Sequence, residues 1–173
     1  MMVTGPTGVG KSSLLNALLC PAKLTIDNED CHFKTDNSFA SVTKSVQQFR
    51  GPWLGDMQAS EVEVFDTPGL GDTDTSNDAA TLQLIVDVIN NNSVNAILLV
   101  FKATDRFSNH IQKQLRTLEY ILGSQLWDHV ITVLTFWGFG TDDITERIRN
   151  CIKEKKETFD LGSILLKKTD VAV

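Results

Sequence analysis

The chain has 173 residues, is 42% hydrophobic and 22% charged, and carries a formal net charge of −6. That length fits one domain able to bury a core without staples, and the acidic balance argues against nucleic acid or an anionic membrane as the main partner. Cys20, Cys31 and Cys151 are odd in number and widely spaced, which excludes a zinc knuckle and a disulfide framework and points to reduced thiols in the cytoplasm.

Met1-Met2-Val3 leads straight into a glycine-rich loop, so no signal peptide is expected before Gly5. Leu14, Leu15, Leu18 and Leu19 then repeat at helical spacing, and Pro21 ends the run. Residues 22–41 are polar and aperiodic and read as a loop. Val42 to Phe49 is rich in β-formers, and Gly51-Pro52 and Gly55-Asp56 predict turns. Glu61 to Phe65 reads as a strand running into Asp66-Thr67-Pro68-Gly69. Gly71 to Asp78 is polar and predicts a mobile connection. Leu82, Ile85, Val86 and Ile89 form a helical stripe.

Ala96 to Phe101 is continuously apolar, as in a strand buried on both faces, and is far shorter than the roughly 20 residues of a membrane helix. A second helical stripe follows at Phe107, Ile111, Leu115, Leu118 and Leu122. Val130 to Phe136 predicts another buried strand, and Ile144, Ile148, Cys151 and Ile152 a last helix whose outer face holds the charges of Lys153 to Glu157. Strands alternate with helices, which implies an α/β fold of three layers: a mainly parallel sheet with helices on both faces.

The chemistry begins at Gly5-Pro6-Thr7-Gly8-Val9-Gly10-Lys11-Ser12. Glycines at these positions let the backbone wrap phosphates with its N–H groups pointing inward, and the helix that follows adds the positive end of its dipole. This is a complete phosphate-loop motif, in which Lys11 reaches the β- and γ-phosphates and the Ser12 hydroxyl ligates Mg²⁺. Ser13, next on the helix, completes the binding segment. Asp66, at the end of a strand, is placed to hold the hydration shell of the same ion. The Gly69 N–H is a sensor of the terminal phosphate, which makes the loop beyond it a switch. Thr43 is a candidate second Mg²⁺ ligand that closes over the γ-phosphate, with Ser41 and Ser45 competing for that role. Lys11, Thr43 and Gly69 would carry the catalytic positioning.

The order of these motifs, with Ser41-Val42-Thr43-Lys44 between them and Asp66-Thr67-Pro68-Gly69-Leu70 closing them, resembles the AIG-type GTPases of the immunity-associated (GIMAP) family, relatives of septins and chloroplast-import GTPases. Ala96 to Lys102 and the following Asp105-Arg106-Phe107-Ser108 strengthen the resemblance, the latter resembling that family's Arg-Phe-Thr box. The likeness runs from about Val3 to Phe159. It implies a single P-loop domain that binds GTP, GDP and Mg²⁺, acts as a switch or scaffold with slow hydrolysis, and self-associates, or associates with related GTPases, across the nucleotide face.

Three departures from that pattern are visible. The base-reading segment after the fifth strand is Thr135-Phe136-Trp137-Gly138, with Gly138 where an Asp is usual. Asp142 or Asp143 replaces it only if the loop folds back, and Trp137 is a candidate for stacking on a purine, as aromatic rings do on any base. Both ends look clipped: the first strand is short, and Leu161 to Val173 is too brief for a sixth strand and final helix, so reduced stability is expected. Leu70 stands where efficient hydrolases carry a water-orienting Gln. A catalytically inactive pseudo-GTPase that serves as an interaction module is the alternative reading. A P-loop kinase is disfavoured by Asp-Thr-Pro-Gly and by the lack of an Arg-rich lid. His32, His110 and His129 are scattered and read as structural or exposed.

Overall fold

The structure, a computed structural model, describes residues 1–20, 32–35, 45–70, 78–104 and 108–136. Five strands form one sheet among these residues: β1 (Met2–Thr4), β2 (Gln47–Pro52), β3 (Glu61–Asp66), β4 (Ile97–Lys102) and β5 (Val130–Thr135). Their spatial order is β2-β3-β1-β4-β5. All neighbours are parallel except β2 and β3, which pair antiparallel. The shortest strand therefore sits in the middle, with Met2 opposite Phe65 on one side and Ile97 on the other.

The pleat sorts the side chains into two cores. Val3, Val64, Leu98 and Val100 face α1 (Lys11–Leu19) and pack with Val9, Leu15, Leu19 and Phe33. Met2, Phe65, Ile97, Leu99 and Phe101 face the other way, onto α2 (Asp78–Asn91) and α3 (Asn109–Leu122). That layer contains Ile85, Val86, Ile111, Leu115 and Leu118, and is closed by Trp127 in the 3₁₀ turn Ser124–His129. The three layers and the mainly parallel sheet are those the alternation of strands and helices predicts. Ser108 caps α3, its hydroxyl accepting from the Ile111 N–H at 3.2 Å.

Two expectations are corrected. Gly51-Pro52 is no turn: both residues belong to β2, opposite Val62 and Glu61. A proline is tolerated there because β2 is an edge strand among the described residues and Pro52 ends it. β5 is less buried than a strand covered on both faces: only Val130 is buried, Ile131 to Thr135 are half-buried, and Phe136 falls beyond its end. It pairs with β4 at the other edge of the described sheet. The expected last helix at 144–152, the connection 71–77, Phe107 and residues 36–44 lie outside the described residues. No helix among the described residues is long and apolar enough to cross a membrane.

One polar residue in the α1 core has an architectural task. Asn16 is 1% exposed, donates from Nδ2 to the Phe33 carbonyl at 2.8 Å and accepts from the Phe33 N–H at 3.0 Å. It thus satisfies both backbone groups of a residue whose ring fills the core under α1, edge-on to Phe49. Asn16→Ala strands both groups in a buried site, and a loss of about 2–4 kcal/mol is expected, read from the urea midpoint at constant m-value.

Candidate functional site

β1 ends at Thr4 and the chain turns through residues 5–10 into α1. The turn depends on glycine at its first residue. Gly5 has φ 144°, and a Cβ there would run into the carbonyl oxygen of Val100 in β4. Val9 is 1% exposed and pins the middle of the loop into the α1-side core. Gly10, at φ 86°, is the N-cap of α1 and offers no side chain to it. The N–H groups of the first helical turn, where Ser13 is exposed and no acidic residue intervenes, are thus uncapped by a side chain at the N-cap, at the positive end of the helix.

Lys11 is only 7% exposed, and its ammonium arches back over the loop to the carbonyls of Gly5 at 3.2 Å and Pro6 at 2.9 Å. One turn of loop is therefore wrapped around a buried cation. Beside it, the Ser12 hydroxyl donates to Asp66 Oδ2 at 2.6 Å, although the two residues are 54 apart in sequence. Asp66 is fully buried at the end of β3. Two hard oxygen donors thus converge at the mouth of the loop, the donor chemistry that suits Mg²⁺.

The segment after Asp66 is tied to the loop along its length. The Thr67 hydroxyl donates to the Val3 carbonyl at 2.9 Å, and the Leu70 N–H donates to the Gly5 carbonyl at 3.0 Å. Pro6 and Leu70 form a parallel bridge. Gly69 lies against Thr7: a Cβ on Gly69 would come within 2.7 Å of Thr7 Cα and 2.8 Å of its nitrogen, and nearer still to its hydroxyl. The Leu70 side chain is 0% exposed and belongs to the core under α2 and α3. It faces the hydrophobic layer, so nothing at this position orients a water.

At the far side of the loop, the Thr135 hydroxyl reaches the carbonyls of Val9 at 2.7 Å and Phe101 at 3.2 Å. Its single proton is shared between two backbone acceptors, which makes Thr135 a strut between β5, β4 and the loop. Phe136 follows in the left-handed region at φ 53°, and its ring is 62% exposed. A Cβ on Gly10 would stand 3.7 Å from that ring, and the Lys102 ammonium lies 4.9 Å from its centroid. The sequence pattern puts Phe136 inside a buried strand and leaves Thr135 and Trp137 as the candidate contacts to a base.

The structure therefore brings together Gly5, Pro6, Thr7, Gly8, Val9, Gly10, Lys11, Ser12, Asp66, Gly69 and Thr135 around one loop. Thr43 and Trp137 lie outside the described residues, as do Gly138, Asp142, Asp143 and the Asp105-Arg106-Phe107 box. The three histidines have separate contacts. His32 stacks on Phe49 at 3.5 Å between centroids, and His129 Nδ1 lies 3.2 Å from the Asn95 carbonyl. His110 Nε2 lies 2.7 Å from Asp78 Oδ2, a carboxylate at the start of α2 that sequence spacing did not connect to it.

Comparison with known proteins agrees with this geometry. The model of the AIG1 family matches residues 1–161. The chain belongs to the AIG1 family. Immune-associated nucleotide-binding protein 10 of Arabidopsis thaliana is 31% identical over 147 residues, which is 84% of this chain and 28% of that protein. Toc33 from Arabidopsis thaliana in complex with Mg²⁺ and GMPPNP has a similar fold, with a TM-score of 0.67 at 22% identity over 94% of this chain and 62% of that one. A structure of the chloroplast translocon components atToc33 and psToc159, described as showing that dimerisation is important for GTPase activity, gives a TM-score of 0.67 at 20% identity over 99% of this chain and 66% of that one. The AIG1 chain described here thus spans under a third of that relative's length.

The Gly69–Thr7 contact makes a local prediction. Gly69→Ala forces backbone against backbone, and a loss of about 1–3 kcal/mol in the ligand-free protein is expected from chemical denaturation, since overpacking at a site that cannot relax carries that penalty.

Proposed function

We propose that this chain is the nucleotide-binding domain of a guanine-nucleotide switch or scaffold protein with slow, Mg²⁺-dependent GTP hydrolysis. The observation that carries the reading is the 2.6 Å contact between Ser12 and Asp66 at the mouth of a loop closed around Lys11. It joins the phosphate-gripping and ion-holding parts of the two motifs. Mg²⁺ would be held by Ser12, with Asp66 fixing its hydration shell and Thr43 a candidate ligand from outside the described residues. When bound, the ion supplies charge neutralisation across the β- and γ-phosphates.

The chain's own residues do the rest by positioning. The N–H groups of residues 5–13 cradle the phosphates, and Lys11 exchanges its carbonyl partners for phosphate oxygens. Gly69 sets the Asp-Thr-Pro-Gly segment beside the terminal phosphate, which suits a switch. Preference for guanine is supported by membership of the AIG1 family and by the guanine-nucleotide analogue bound to Toc33. The exposed Phe136 ring offers a flat face at the rim of the loop where a base would lie. Slow hydrolysis is supported by Leu70, whose side chain is committed to the core. Self-association across the nucleotide face is supported by the link between dimerisation and GTPase activity described for the translocon proteins.

Equilibrium binding of fluorescent GTP and GDP with Mg²⁺ tests the first part. Micromolar binding that resists ATP and falls at least about tenfold in Lys11→Ala is expected, since the lysine makes charge-assisted bonds to phosphate. A folded protein that binds neither nucleotide, or binds equally well without Lys11, would sink the proposal.

A second reading, an interaction module that turns over nothing, is favoured by the same burial of Leu70. Single-turnover phosphate release measured over a series of protein concentrations separates the two. A rate per site that rises with concentration is expected of a hydrolase completed by its partner. Nucleotide-dependent association without phosphate release selects the module.

A further inference from the structure

Most of the polar side chains around the loop have committed bonds. Lys11 bonds to Gly5 and Pro6, Ser12 to Asp66, Thr67 to Val3, and Thr135 to Val9 and Phe101. Two threonine hydroxyls of this region are exceptions: Thr4, which ends β1 and lines an otherwise apolar cavity beside Ile85 and Leu115, and Thr7, which lies in the loop itself. The Thr7 Oγ1 is buried and has no hydrogen-bond partner among the described residues. A buried hydroxyl in that condition forfeits the bonds it would make to water, so its persistence calls for a cause. Threonine is also a poor choice for packing alone, because valine has the same shape without the polar atom.

Its position supplies the cause. Thr7 sits at the seam where the phosphate loop meets the Asp-Thr-Pro-Gly segment, with Gly69 pressed against its side chain and backbone. Leu70 is bonded to Gly5 and bridged to Pro6 on the same seam. Within the reading proposed above, on which this inference rests, the loop's N–H groups cradle the phosphates and Lys11 reaches the β- and γ-phosphates. In that reading the Asp-Thr-Pro-Gly segment on this seam is the part that meets the terminal phosphoryl group. A hydroxyl there donates one O–H, and a phosphoryl oxygen is an anionic acceptor that forms the stronger class of hydrogen bond.

We propose that the Thr7 hydroxyl donates to a terminal phosphoryl oxygen of the bound nucleoside triphosphate, making Thr7 a determinant of triphosphate over diphosphate preference. The side chain acts here separately from its own backbone N–H, which serves the loop whatever residue stands there. In the ligand-free protein the hydroxyl is a small local penalty, and the triphosphate removes it. Diphosphate leaves it in place.

The test uses the whole chain with Thr7→Val and Thr7→Ser, titrated with GDP and with a non-hydrolysable GTP analogue in Mg²⁺. Melting of the ligand-free proteins is followed in parallel. Thr7→Val is expected to weaken the triphosphate analogue about tenfold, with a far smaller change for GDP. Its ligand-free melting temperature should hold or rise, since a stranded hydroxyl has been removed. Thr7→Ser, which keeps the donor, should restore most of the triphosphate preference. An unchanged ratio of the two affinities in Thr7→Val overturns the proposal while leaving nucleotide binding intact. So does an equal loss for both ligands, which would mean a distorted loop. A folded wild type that binds neither ligand removes this proposal together with the reading beneath it.

Discussion

The site depends on how closely two backbones approach at Gly5. With no Cβ, this residue admits the Val100 carbonyl from β4 into the space a side chain would fill. Its own carbonyl then accepts from Lys11 Nζ and from the Leu70 N–H. One peptide unit thus joins the central strand, the buried cation and the segment after β3. Any side chain at this position separates β1 from β4, and with them the loop from the sheet that supports it. Gly69 repeats the device on the other side of the seam, where the missing Cβ lets its backbone lie on Thr7. Both glycines act through the space they leave free.

A buried ammonium and a buried carboxylate within one small region would normally weigh against folding. Here the ammonium has backbone carbonyls at 2.9 and 3.2 Å, and the carboxylate has the Ser12 hydroxyl. The loop is therefore preorganised around charge before any ligand arrives, and the groups that would meet phosphate and metal are already solvated by protein dipoles. A site arranged in this way loses little rotamer freedom on binding. Phe136, left-handed and exposed beside Gly10, is the least committed part of the same rim.

Much of this was legible in the sequence because it is written locally. The unbroken apolar run from Ala96 to Phe101 read as a strand covered on both faces, and β4 is buried from Ile97 to Phe101. The helical stripes of α2 and α3 follow from three- and four-residue spacing. The pairing of Ser12 with Asp66 followed from the chemistry of the two motifs, although 54 residues separate them. What escaped was tertiary. Nothing local says that Asn16 will hold the backbone of Phe33, or that the Thr135 hydroxyl will reach Val9, 126 residues away. Leu70 was legible as a missing glutamine but not as a core residue, since side-chain direction is set by the bridge to Pro6. Gly51-Pro52 carried the residues of a turn, and the ladder to β3 overrode them.

The position of β1 also bears on how the chain folds. Its three residues find their partners only on strands formed much later in sequence, Phe65 on one side and Ile97 on the other. Such contacts carry the full entropy of closing two long loops, and a strand this short returns little for either until both are closed. The β2–β3 hairpin and the helices rest on near neighbours, whereas the strand that leads into the phosphate loop is held between β3 and β4. The functional part of the molecule thereby rests on contacts between segments far apart in sequence. A ligand that recognises only the finished loop draws the folding equilibrium toward the native state by mass action.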